Sequence, residues 1–197
     1  YNLVKAYDDF EVREYEASLF TSVKLPTNDF KEASSKGFSV LAGYIFGGND
    51  KEQQIAMTSP VSMSLEDSMT MMFMVPKELR RDELPLPNSK EISFKEEPAR
   101  TVAAITFGGW SDSNKIESFK QKLISALDKE GVSYTDKFFF LGYNAPYEMT
   151  NRRNEVIFLI RRGNLYLNAA TVNAIAIKPK KAAKYLCTTS GIALSIS

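Results

Sequence analysis

FEVREYEASLFTSV, residues 10–23, and ISFKEEPARTVAAI, residues 92–105, are the two stretches whose comparison sets the fold. The first alternates apolar and polar residues on either side of a break at 16–18, so it reads as two short strands or one long bent strand. Laid over the second with a shift of 82 positions, Phe10 meets Ile92, Val12 meets Phe94, Arg13 meets Lys95, Phe20 meets Val102 and Val23 meets Ile105. The repeat extends outward. Over residues 29–46, Phe30, Ala33, Gly37 or Phe38, Leu41 and Ile45 recur at spacings of three and four, which predicts an amphipathic helix capped by Asn28 and stopped by Gly47. Gly37 inside it costs about 1 kcal/mol relative to Ala, so a close packing contact is expected there. The same shift carries this helix onto 111–128, where Ile116, Phe119, Leu123, Ile124 and Leu127 share a face, Asn114 and Glu117 form a capping box, and Gly131 terminates. Two strands follow each helix, at 61–65 and 70–75 and again at 137–143 and 155–160, with a proline-rich loop at 76–90 joining the halves. The expected fold is α+β: a distorted antiparallel β-barrel made from two β-α-β-β repeats, 7–76 and 90–161, with two helices packed on it.

A chain of 197 residues with 44% hydrophobic content suits one domain with a sizeable core, here 1–161, followed by a tail at 162–197. The tail contains no acid. Glu155 is the last acidic residue and six bases follow it, so the formal charge of +1 divides into a body, residues 1–155, of 19 bases against 24 acids and a basic end. Within the tail one strand at 172–177 and a helical patch at 180–186 are expected. The longest apolar runs, Phe138 to Leu141 and Val156 to Ile160, are strand-sized, so no membrane-spanning helix is expected, and no pattern calls for nucleic acid as a partner. The first residue is Tyr1, which points to a processed chain whose targeting segment, if any, has been removed; a reducing compartment, cytoplasmic or organellar, is the expected location. Cys187 is the single cysteine, so an internal disulfide is excluded.

The chain has no histidine. That removes the commonest general base and the commonest transition-metal ligand, and with them Ser-His-Asp triads, Cys-His pairs and histidine zinc sites. Neither a catalytic set nor a metal site is expected. Six of the seven methionines lie in residues 53–76, QQIAMTSPVSMSLEDSMTMMFMVP, and their unbranched thioethers serve equally as core filling or as the lining of an adaptable apolar site. Strand alternation sends Met72 and Met74 to one face and Met71 to the other, so some of them belong to the core.

Three segments together resemble the SOUL family of haem-binding proteins: LAGYIFGGNDKEQQIAMTSPVSM at 41–63, Phe107-Gly108-Gly109-Trp110, and GYNAP at 142–146 followed by RRNEV at 152–156. The resemblance covers about residues 7–160. It implies a barrel of two β-α-β-β repeats and the non-catalytic carriage or buffering of haem or another porphyrin in an apolar groove beside the first helix. Carried over by position, the expected ring contacts are Leu41, Tyr44, Ile45, Met57 and Met63, with Lys24, Lys36, Lys51 or Arg13 meeting the ring's carboxylates. Without histidine, ligation by imidazole is impossible. Trp110 reads as a stacking surface or as a plug for the barrel end. Arg152 and Arg153 read as an anion clamp or, preferably, as structural partners of Glu155. A second reading is an effector-binding or protein-interaction module of the same fold, in which Glu11, Glu14 or Glu155 in a central cavity receives a cationic guest.

Overall fold

The computed structural model describes residues 1–65, 68–145, 148 and 150–161. Strands β1 (Asn2–Ala6), β2 (Glu11–Tyr15) and β3 (Ser18–Leu25) precede helix α1 (Phe30–Ile45), which leads to β4 (Val61–Ser64) and β5 (Met69–Met74). The second half follows the same plan with β6 (Ile92–Glu97), β7 (Arg100–Gly108), α2 (Ser113–Lys129), β8 (Tyr134–Gly142) and β9 (Arg153–Ile160). All nine strands form one antiparallel sheet in the order β1-β2-β7-β9-β8-β4-β5-β3-β6.

The break at Glu16 and Ala17 has a topological purpose. It lets β2 leave β3 and pair with β7 of the other repeat, while β6 pairs with β3 in return. Leaving out β1, the strand order reads the same from both ends when each strand is exchanged for its repeat partner. The two halves therefore share a pseudo-two-fold relation, with β4 and β8 paired at its centre. The pairing stays open: β1 and β6 are edges, so the strands do not close the barrel expected from the repeats, and the charges of Lys95, Glu96 and Glu97 on β6 disfavour further strand addition.

Both helices begin at an aspartate. Asp29, one residue beyond the expected Asn28, accepts the Glu32 amide at 2.7 Å, and Asp112 accepts the Lys115 amide at 2.8 Å. Asn114 thus sits in the first turn of α2, and Glu117 bonds Lys120 and Gln121 rather than closing a capping box. Gly37 confirms the expected close approach, because a Cβ there would stand 2.9 Å from Leu25 Cδ1 and 3.1 Å from Met71 Cβ. Past α1, Asn49 is buried and ties off the helix end, donating to the carbonyls of Tyr44 and Gln53 and accepting the amides of Lys51 and Gln53. The Gly-Gly-Asn turn is therefore a structural lock.

Alternation along the strands produces two apolar layers. On the helix side Val12, Val23, Met71, Phe73, Phe140 and Val156 pack with Leu41, Tyr44, Leu123 and Leu127; on the opposite side Phe20, Met72, Val102, Phe139, Leu141 and Ile157 pack together. Met71 and Met72 fall on opposite faces as expected. The expected tail, 162–197, with its strand, its helical patch and Cys187, lies outside the described residues. No helix among the described residues is long and apolar enough to cross a membrane.

Candidate binding groove

Helix α1 packs on β3 and β5, and α2 packs on β7 and β9. The strand order places β8 and β4 between those pairs, so each helix is centred on its own pair of strands and a groove of about 990 Å³ runs over the central two. Its floor is two cross-strand pairs, Val61 with Gly142 and Met63 with Phe140. One wall is a stripe of α1 at spacings of four, Phe30, Ser34, Phe38 and Ala42, adjacent to the stripe that faces the sheet. The Phe30 ring meets Phe140 edge-on with centroids 5.5 Å apart, and Ser34 Oγ donates to Met63 Sδ at 3.6 Å. The other wall is Trp110 to Ser113 with Arg152.

Two of the quoted sequence motifs meet at that second wall. Asn154 Nδ2 donates to the Gly109 carbonyl at 2.8 Å, and the Gly109 amide donates to the Arg152 carbonyl at 3.2 Å, so the Gly-Gly-Trp turn is latched to the Arg-Arg-Asn-Glu strand. Trp110 is 55% exposed, which excludes a plug, and the Arg152 guanidinium lies 4.1 Å from its ring centroid. Arg152 Nη1 donates to the carbonyls of Ala145 and Glu148, while its Nε is buried without a partner among the described residues.

Of the five expected contact residues, Met63 lines the groove and is 2% exposed. Leu41, Tyr44 and Ile45 are buried in the core, and Tyr44 Oη donates to the Pro85 carbonyl at 2.9 Å while burial pushes its pKa up to about 12. Tyr44, Ile45 and Met57 come together at a separate crevice of only about 10 Å³, with Met57 40% exposed. None of Lys24, Lys36, Lys51 and Arg13 lines the groove; the cations there are Lys31 and Arg152. Phe30 and Phe38 were expected on the helix's apolar face with no ligand role, and Ser34 and Phe140 with no place in a site. The signal available for Ser34 was its place on the stripe four residues from each phenylalanine.

Glu155 sits on the opposite face of the sheet and is fully buried. Its Oε2 accepts from Arg13 Nη1 and Tyr143 Oη, both at 2.8 Å, and its Oε1 accepts from Arg153 Nη2 at 2.6 Å and Thr106 Oγ1 at 3.1 Å. Burial alone would raise the carboxyl pKa, but the bonds from Arg13, Arg153 and Tyr143 outweigh it and hold the group below its usual range. Burial also works against the charge of Arg13, yet the pairing with Glu155 and Glu11 keeps its pKa above the ordinary value. Arg153 is thus the structural partner expected for Glu155, whereas Arg152 turns to the groove. No cluster able to hold a metal ion occurs among the described residues.

Residues 1–159 match the family described as SOUL heme-binding protein. The chain is 30% identical over 156 residues to Heme-binding protein 2 of Mus musculus, covering 75% of this chain and 76% of that protein. It is likewise 30% identical over 158 residues to Heme-binding protein 1 of Xenopus laevis, covering 76% and 83%. In fold it is similar to the EcmrR C-terminal domain, with a TM-score of 0.61 at 13% identity, covering 77% of this chain and 96% of that one. With the fold, the latched motifs and the relatives in agreement, the chain belongs to the SOUL haem-binding protein family.

Proposed function

We propose that the groove over β4 and β8 binds haem or another tetrapyrrole, and that the protein carries or buffers the ring without chemistry on it. The observation that carries this reading is the groove itself: about 990 Å³, open along one side, and lined by Phe30, Phe38, Val61, Met63, Trp110 and Phe140. A flat apolar guest gains roughly 25 cal/mol for each Å² of apolar area it buries, so a ring held by such walls needs no covalent bond to the protein. The relatives named as haem-binding proteins support the ligand class.

The residues fit a porphyrin in two further respects. Arg152 and Lys31 supply cations in the lining for the carboxylates of a ring that bears them. Met63 contributes a soft, polarizable contact from the floor. An iron-bearing ring supplies Lewis acidity at its metal, and with no histidine in the chain an imidazole cannot answer it. Binding therefore depends on the ring face more than on the metal. The position-based contacts Leu41, Tyr44 and Ile45 act from behind as the support of α1, while Met57, outside the groove, serves as the comparison for Met63.

The cationic-effector reading has a specific observation against it. Of its three candidate carboxylates, Glu11 and Glu14 are not buried, and Glu155 already accepts from Arg13, Tyr143, Arg153 and Thr106 and has no vacancy for a guest. Trp110, the single tryptophan, gives the test for ring binding. Titration with hemin or protoporphyrin IX at micromolar concentration shifts the Soret band and quenches tryptophan emission saturably; no change in either signal overturns the proposal.

A further inference from the structure

The sheet has a second cavity, on the face turned away from the groove. It measures about 50 Å³, and all eight repeated strands, β2 to β9, contribute a lining side chain. It therefore lies on the pseudo-two-fold axis. The separation from the groove follows from strand alternation: Val61 and Met63 face one side, and Ser62 between them faces the other.

Its floor is apolar, made by Phe20, Leu141, Ile157 and Met74. One hydroxyl in that lining, Ser62 Oγ, has no hydrogen-bond partner among the described residues, and Ser62 is 3% exposed; the Tyr15 hydroxyl also lines the cavity and lies beside Arg13 and Tyr143. Ser62 pairs across the sheet with Leu141 on one side and Met72 on the other, so its neighbours in register offer it no side-chain acceptor. A buried hydroxyl left unbonded is unfavourable, and one held in an apolar floor calls for a partner that enters the cavity. Both carboxylates at the mouth are paired: Glu97 with Arg100 at 2.8 Å and with Lys95 at 2.7 Å, and Glu16 with Lys77 at 2.6 Å. The nearby Glu155 is closed by its own donors. No carboxylate of the lining is left free to hold a cation.

We infer that this cavity is a second binding site, independent of the groove, for a small uncharged amphipathic molecule. Its hydroxyl or carbonyl head bonds Ser62 and Tyr15, and its alkyl part lies on Phe20, Leu141 and Ile157. The size agrees with a short-chain guest. A water needs about 10–15 Å³ and a cavity of about 150 Å³ takes benzene, so 50 Å³ holds a polar head and its first carbons, with the rest of the chain leaving through the mouth beside Pro60.

The test is an amide NMR titration of the whole chain with butan-1-ol, butylammonium and butyrate. Butan-1-ol is expected to give saturable shifts at Ser62, Leu141 and Ile157 but not at Phe38 or Met63, and to bind at least tenfold more tightly than either ion. Ser62→Ala is expected to weaken butan-1-ol at least fivefold while thermal stability is unchanged or raised, and Tyr15→Phe to weaken it independently. Porphyrin titration of Ser62→Ala remains at the wild-type value, which separates this site from the groove. Absence of saturable shifts at those three amides, equal binding of the ions, undiminished binding to both variants, or a butanol-soaked crystal with ordered water only in the cavity each overturns the inference.

Discussion

Replacing Glu155 by Gln keeps the side chain's size and removes the charge on which the back of the sheet depends. In the native protein Arg13 is 2% exposed and Glu155 fully buried, and they meet at 2.8 Å. After the change Arg13 keeps Glu11, which is 39% exposed, as its one ionic partner. The amide oxygen of Gln accepts fewer bonds than the carboxylate, so some of the donations from Tyr143, Arg153 and Thr106 are lost as well. Removing one member of a buried ion pair costs about 3–5 kcal/mol, because the remaining charge stays in a poorly solvated place. For a chain of this length 1 kcal/mol moves the Tm by roughly 2–4 °C, so Glu155→Gln is expected to lower it by roughly 6–20 °C. Thermal and urea melts followed by circular dichroism measure this directly. The coupling is read by adding Arg13→Met, which should cost less in the Glu155→Gln background than alone, since the uncompensated charge is then gone. A loss below about 1 kcal/mol for Glu155→Gln, or strict additivity with Arg13→Met, would refute the reasoning.

Acid should act on the same group. The folded-state pKa of Glu155 is depressed, so its contribution is fully present above the unfolded carboxylate value near 4.3 and disappears as the pH falls through the lower folded value. Wild-type stability should therefore fall more steeply than that of Glu155→Gln below about pH 4, as followed by urea midpoints. Gly37→Val should destabilise by about 1–3 kcal/mol despite the better helix propensity of the new residue, because its Cβ meets Leu25 and Met71; a neutral result in a melt would show that α1 can lift from the sheet. Asp112→Ala should cost about 0.5–2 kcal/mol and Asn114→Ala much less, which a pair of melts distinguishes, since Asp112 holds the Lys115 amide.

The duplication was legible in the sequence because both repeats keep the same break and the same helical period, and β2 with β6, β3 with β7 and α1 with α2 follow it closely. The exchange of first strands between repeats was not, since a segment's period tells which face it buries and leaves its neighbour unspecified. The helix caps were misplaced by one or two residues because Asn28, Asp29, Asp112 and Asn114 are all competent caps, and only the backbone geometry selects among them. Within the site, Met63 was found through the family resemblance. Leu41, Tyr44 and Ile45 came from the same resemblance; Leu41 and Ile45 also belong to the helical period, and that period marks the stripe facing the sheet. The groove's wall is the neighbouring stripe, where Ser34 breaks the apolar pattern between Phe30 and Phe38, and the strand order that sets β4 and β8 between the two helices is what reveals it.

The central claim concerns where a tetrapyrrole binds and what holds it. The most direct test compares the affinity of hemin and of metal-free protoporphyrin IX for the wild-type protein and for Phe38→Asp, which places a charge on the groove wall and leaves Trp110 and the Glu155 cluster untouched. The prediction is near-equal binding of the two rings by the wild type and at least a tenfold loss of both in Phe38→Asp, measured at a temperature where circular dichroism shows the variant folded, since Phe38 also packs edge-on against Phe73. Binding of hemin alone, or undiminished binding of both rings to Phe38→Asp, would contradict it.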